Sequence, residues 1–124
     1  MRLKRNRLRT VIHKSAVLQK DSEGNAYVAY GSPGALRAEV WPAGGKVQAE
    51  RYGLRLPNIR NLRLEERYQE TERDGKPVFI LESGTVIAAN DGICFAVGEE
   101  AAPDYQIIGI YPYRFLTLEI ERRQ

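Results

Sequence analysis

The sequence holds a single cysteine, Cys94, and a single histidine, His13. One cysteine excludes an internal disulfide and any site built on clustered thiolates. One histidine excludes sites that need two imidazoles and makes a histidine-based triad a poor fit. The chain also lacks an apolar run of the ~18 residues that a transmembrane helix needs. Its start, Met1–Thr10, is basic with no apolar stretch behind it, so a secretory leader is not expected.

Recognisable chemistry is scarce as well. Gly44-Gly45-Lys46 is the nearest string to a phosphate-binding loop, and it has neither the spacing nor the following Ser or Thr. No G-x-S-x-G elbow occurs. Glu65-Glu66 and Glu99-Glu100 are adjacent carboxylates, which point apart in a strand and read as solvated charge. Cys94 sits in an apolar run with no neighbouring cation to activate it, so it reads as a small core residue. His13, beside Lys14, reads as a surface or edge residue. These readings predict no catalytic, cofactor-binding or metal-binding residue, and therefore no enzyme.

What the chain does have is ordinary globular composition with an uneven charge. Hydrophobic residues make up 43% and charged residues 28% of its 124 residues, which fits one folded domain spanning 1–124. Residues 1–20 carry seven cations and no acid, while the rest carries twelve cations and sixteen acids. The cations of the first nine residues, Arg2, Lys4, Arg5, Arg7 and Arg9, form a basic arm. Such an arm is either a solvated tail or a means of engaging phosphate or an acidic protein surface.

The body reads as short strands punctuated by turns. Thr10–Gln19 is β-branched and apolar, ends at the turn cluster Lys20–Asn25, and is expected to pair with Ala26–Tyr30. In Ala35–Trp41 the residues Leu36, Ala38 and Val40 fall on one face and Arg37, Glu39 and Trp41 on the other. Arg63–Thr71 reads as extended, Asp74-Gly75 as a turn, and Pro77–Glu82 as a strand. Thr85–Ala89 and Ile93–Val97, joined by Asn90-Asp91-Gly92, form the strongest hairpin signal. Tyr105–Tyr111 and Arg114–Arg122 close the chain, the latter with Leu116, Leu118 and Ile120 inward and Phe115, Thr117, Glu119 and Glu121 outward. The fold class is mainly β, as a small barrel or sandwich. Its expected core is Leu36, Ala38, Val40, Ile87, Ile93, Phe95, Ile107, Leu116, Leu118 and Ile120.

The stretch Lys46–Leu64 keeps neither strand nor helix period well, with Ile59, Leu62 and Leu64 fitting either, and residues 42–60 read as a long internal loop with room for a helical turn or two. A loop of that length in a small domain is usually functional. The seven tyrosines and Trp41 fit strand filling and interface surface equally.

Three segments, in order, carry a resemblance. They are the basic start running into a strand, Arg5–His13; the run Leu36–Lys46 with Trp41-Pro42 and Gly44-Gly45-Lys46, followed by Ala49-Glu50; and Asp91–Phe95 with Pro103–Ile108 and Leu116–Glu121. The chain resembles the head-closure or head–tail connector proteins of long-tailed bacteriophages, also called stoppers, head completion proteins or head–tail adaptors. It departs from their common pattern between Leu62 and Ser83, where an extra hairpin is expected.

The resemblance implies a small β-barrel whose copies form a ring, a hexamer or dodecamer, in the neck of the virion. The ring lies beneath the portal or adaptor protein, closes the channel over packaged double-stranded DNA, and docks a tail-terminator or tail-completion protein. No catalytic residue comes with it, and no membrane partner. The loop from about Ala43 to Pro57 corresponds to a channel or interface segment, carrying Gly44, Gly45, Lys46, Arg51 and Arg55. The alternative is a small β-barrel that binds nucleic acid as its main task, through the arm and the series Arg51, Arg55, Arg60 and Arg63.

Overall fold

The computed structural model describes residues 7–123. In chain order its strands are β1 (Leu8–Lys14), β2 (Ala16–Lys20), β3 (Ala26–Tyr30) and β4 (Gly34–Pro42). Helix α1 (Gly45–Tyr52) and a 3-10 helix (Gly53–Asn58) follow. Then come β5 (Ile59–Leu64), β6 (Tyr68–Arg73), β7 (Lys76–Leu81), β8 (Val86–Ile87), β9 (Gly92–Cys94), β10 (Tyr105–Pro112) and β11 (Leu116–Arg122).

Six strands close an antiparallel barrel in the order β1-β4-β5-β11-β10-β9, with β9 returning to β1. Closure leaves no free edge in the main sheet. Alternation within each strand fills the interior: Leu36 and Ala38 point in while Arg37 is exposed, and Leu116, Leu118 and Ile120 are all buried. β5 adds Leu62 and Leu64 opposite Val40 and Ala38. A barrel this narrow is filled by its own side chains.

Two smaller sheets leave the barrel. β6, β7 and β8 form one, turning at Asp74 (φ 53°) and Gly75 (φ 77°), both left-handed as a tight hairpin turn requires. Its Phe79, Leu81 and Ile87 join the barrel core, so it caps that core. β2 and β3 form the other, a two-stranded ribbon that is almost wholly exposed.

Several expectations are corrected by non-local contacts. The run Thr10–Gln19 is two strands, β1 in the barrel and β2 in the ribbon, parted at Ser15. The hairpin expected over 85–97 does not form: β8 pairs with β7, and β9 pairs with β1 and β10. Asn90 does turn the chain (φ 73°), but Asp91 is buried and binds at the end of the neighbouring strand β1. Its carboxylate lies 2.7 Å from His13 Nε2 and accepts the N–H groups of Ala16 (2.9 Å) and Ala88 (3.0 Å). His13 is thus a buried partner and not a surface residue. Val40 and Phe95 are only half-buried, packed against the rim of the core.

Asp91→Ala would strip this acceptor from one ring nitrogen and two backbone donors. A loss of about 2 kcal/mol is expected, read as a lower urea midpoint at unchanged slope. An unchanged midpoint would mean the three donors find water instead.

Candidate functional site

Residues 42–60, expected as a loop, form α1 and the 3-10 helix before β5 begins at Ile59. The helix starts at extended Gly44, whose N–H is accepted by Gln48 Oε1 at 3.0 Å, and it ends at Gly53 (φ 55°). Pro57 sits inside the 3-10 helix, and Asn58 hands the chain to β5. No residue of α1 is fully buried, so an apolar stripe does not hold this helix to the barrel.

A polar network holds it instead. Gln48, Arg51 and Tyr52 recur at i, i+3 and i+4 on α1 and meet the outward face of β11, with Arg55 following on the 3-10 helix. At its centre is Glu119, only 2% exposed. Its carboxylate accepts Tyr111 Oη (2.5 Å), Tyr52 Oη (2.6 Å) and Gln48 Nε2 (2.8 Å), with Arg51 Nη1 at 3.5 Å. Gln48 Nε2 also donates to Asn61 Oδ1 at 2.7 Å. Arg51 donates to the Tyr111 hydroxyl. Next to it, Arg55 grips Glu121 through two bonds of 2.7 and 2.6 Å.

Burial alone would raise the Glu119 carboxyl. Donation by Tyr111, Tyr52 and Gln48, with the Arg51 charge, outweighs it and holds the group below the usual carboxylate range. Burial, and then the bond to Glu119, push the Tyr111 phenol well up, and Tyr52 moves the same way. Both phenols therefore stay protonated donors. Gly109 supplies the room: a Cβ there would come 2.5 Å from Glu119 Oε1.

The structure brings Arg51 and Arg55 together with Glu119 and Glu121, while Gly44 and Gly45 (φ 81°) shape the helix start and Lys46 is exposed. Gln48, Tyr52 and Glu119 were missed by sequence reasoning. The signal was the polar stripe at helical spacing, hidden because apolar periodicity was the guide.

Of the basic arm, Arg2, Lys4 and Arg5 lie outside the described residues. Arg9 belongs to β1, not to an arm: it donates to Phe95 O at 3.0 Å and stacks on that ring at 4.0 Å. Arg7 is exposed and borders a cleft with Glu39, Trp41 and Arg63. Trp41 also borders a second cleft with Val47, Arg51, Tyr111 and Glu119. Arg63 lies over the Trp41 ring at 5.0 Å and 3.6 Å from Glu39.

Cys94 is buried, and desolvation raises its thiol, so it is inert core. Among the described residues no three His, Cys, Asp or Glu side chains gather to hold a metal, and no helix is long and apolar enough to cross a membrane. The remaining feature is exposed apolar surface. Leu18 (73% exposed) and Val28 (53%) lie on the ribbon, and Val47 (66%) and Leu54 (99%) on the helical segment.

No protein-family model matches the chain, and neither a curated protein nor a solved structure matches it.

Proposed function

We propose that this protein is a structural subunit of a bacteriophage head–tail connector. Copies form a ring in the virion neck, close the channel over packaged DNA and present the docking surface for the tail. The role involves no chemical step. The single observation that carries the reading is how the barrel spends its surface. A closed barrel projects an exposed apolar ribbon, and the helical segment that polar bonds hold to β11 leaves Val47 and Leu54 exposed on its other side. Exposed apolar patches of this kind mark interaction sites. The sequence resemblance supplies the particular assembly.

The test is a phage lacking this gene. Heads should fill with DNA, then leak or fail to join tails in electron micrographs, and the protein supplied in trans should restore infectious particles. Normal tailed particles without the protein would end the proposal.

One observation favours the second reading, a nucleic-acid-binding barrel. Trp41 and the stacked Tyr111–Tyr113 pair (5.8 Å) lie among Arg7, Arg51 and Arg63. Against it, Arg51 and Arg63 face Glu119 and Glu39. Salt separates the two readings. A dedicated binder of six to ten phosphates would lose about 10³–10⁵ in affinity between 50 and 200 mM salt. A connector subunit is expected to bind free duplex weakly at both concentrations.

A further inference from the structure

We infer that residues 44–58 form a strap that opens from β11 as one unit while the barrel stays folded, with Glu119 as the latch that holds it shut. The device belongs to the fold and does not depend on the connector role.

The barrel is complete without the strap. β4 and β5 pair down to Pro42 and Arg60, and Ala43 N–H donates to Ile59 O at 3.1 Å, so the ladder closes across the two ends of the strap. Beyond that point no side chain of α1 or of the 3-10 helix is fully buried, and only Gln48, Tyr52 and Leu56 are half-buried. Lifting the strap therefore wets little apolar surface. Ile59, the first residue past it, is wholly buried and stays with the sheet.

Side-chain bonds gathered on one strand hold the strap down. Glu119 takes Gln48, Tyr52 and Arg51, and Glu121 takes Arg55 through two bonds. Asn61 of β5 and Tyr111 of β10 add one partner each, Gln48 and Arg51. Asn61 and Glu119 are paired across β5 and β11 and lie on the outward face, so water reaches both once the strap lifts. Opening exchanges these bonds for hydration and orphans no polar group in the core.

The strap is also jointed. Gly44 is extended and Gly45 lies at φ 81°, and a Cβ on either would meet nothing within 4 Å. Gly53 (φ 55°), equally open, parts α1 from the 3-10 helix. Rotation at these glycines meets no packed side chain. The latch, by contrast, is closely seated: the 2.5 Å between a Cβ at position 109 and Glu119 Oε1 leaves room for glycine alone.

The two forms offer different surfaces. In the closed form Glu119 and Glu121 answer the charges of Arg51 and Arg55. In the open form the strap presents Lys46, Arg51 and Arg55 against the single acid Glu50, and the barrel presents Glu119 and Glu121 beside Asn61. Any molecule that recognises one of these uncovered faces must bind the open form and shift the population toward it.

The test is native-state hydrogen exchange on the full chain in sub-denaturing urea. The helical amides of residues 49–53 should share one opening, less protected than the amides of β4, β5 and β11 and nearly independent of urea. The strand amides should follow the urea slope of global unfolding. Two variants reach the latch in different ways. Glu119→Gln replaces an acceptor oxygen, and Gly109→Ala drives a methyl against an intact carboxylate. Each should speed exchange across residues 49–53 about tenfold or more, with the small urea slope kept. Exchange of residues 49–53 only with the strands, at their slope, would overturn the inference, and the parent chain alone decides this. Unrelated protections along residues 49–53 would mean fraying instead of a unit and would overturn it equally. Unchanged exchange of these amides in both variants would overturn Glu119 as the latch.

Discussion

Glu119→Ala is expected to lower stability by about 3 kcal/mol, a large effect for a residue outside the apolar core. The substitution leaves Tyr52, Tyr111 and Gln48 donating into a space closed by α1, with Arg51 deprived of its counter-charge. Glu119→Gln keeps the shape but replaces one acceptor oxygen with a donor group facing phenol donors, so about half the loss is expected. The same network gives a pH signature. The folded carboxyl titrates below its unfolded value, so its contribution is complete above about pH 4.5 and is lost as pH falls through the folded value. Urea midpoints from pH 3 to 7 should therefore fall more steeply on acidification for the parent than for Glu119→Gln. Parallel curves would mean that Glu119 titrates alike in the folded and unfolded chains.

Replacing Ala43–Pro57 with a short Gly-Ser turn is expected to keep the barrel and, under the proposed connector role, to abolish infectivity. β4 and β5 are antiparallel neighbours, paired to Pro42–Arg60, so a tight turn can join them directly. α1 buries no side chain fully, so its removal takes little from the apolar core. Glu119 would then meet water rather than orphaned donors, which costs less than deleting its carboxylate beneath an intact helix. Strand circular dichroism should persist, while complementation by the shortened chain should drop by orders of magnitude. Normal complementation would refute the interface role of this segment. Loss of the barrel would show that the polar network supports the sheet and not the helix alone.

Much of the fold was legible because strand alternation is a local signal. Leu36 and Ala38 against Arg37, and Leu116, Leu118 and Ile120 in β11, could be assigned inward from neighbours two residues away. The Asp74-Gly75 turn was legible for the same reason, since its left-handed angles depend on those residues themselves. The candidate site was legible only in part. Arg51 and Arg55 stood out as cations, but their carboxylate partners lie 68 and 66 positions away.

By itself, then, the sequence determined a mainly β fold, most of its core and the absence of clustered cysteine or histidine chemistry. Tertiary structure alone decided three things. It chose barrel over sandwich, by returning β9 to β1. It buried His13 and Asp91 as a pair, dissolving the hairpin that Asn90-Asp91-Gly92 had promised. It covered the outward face of β11 with a helix, making Glu119 a buried anchor. The physical reason is shared. Period and turn chemistry are set within a few residues, whereas strand partners, and what lies over an outward face, are set by distant segments competing for the same hydrogen bonds and surface.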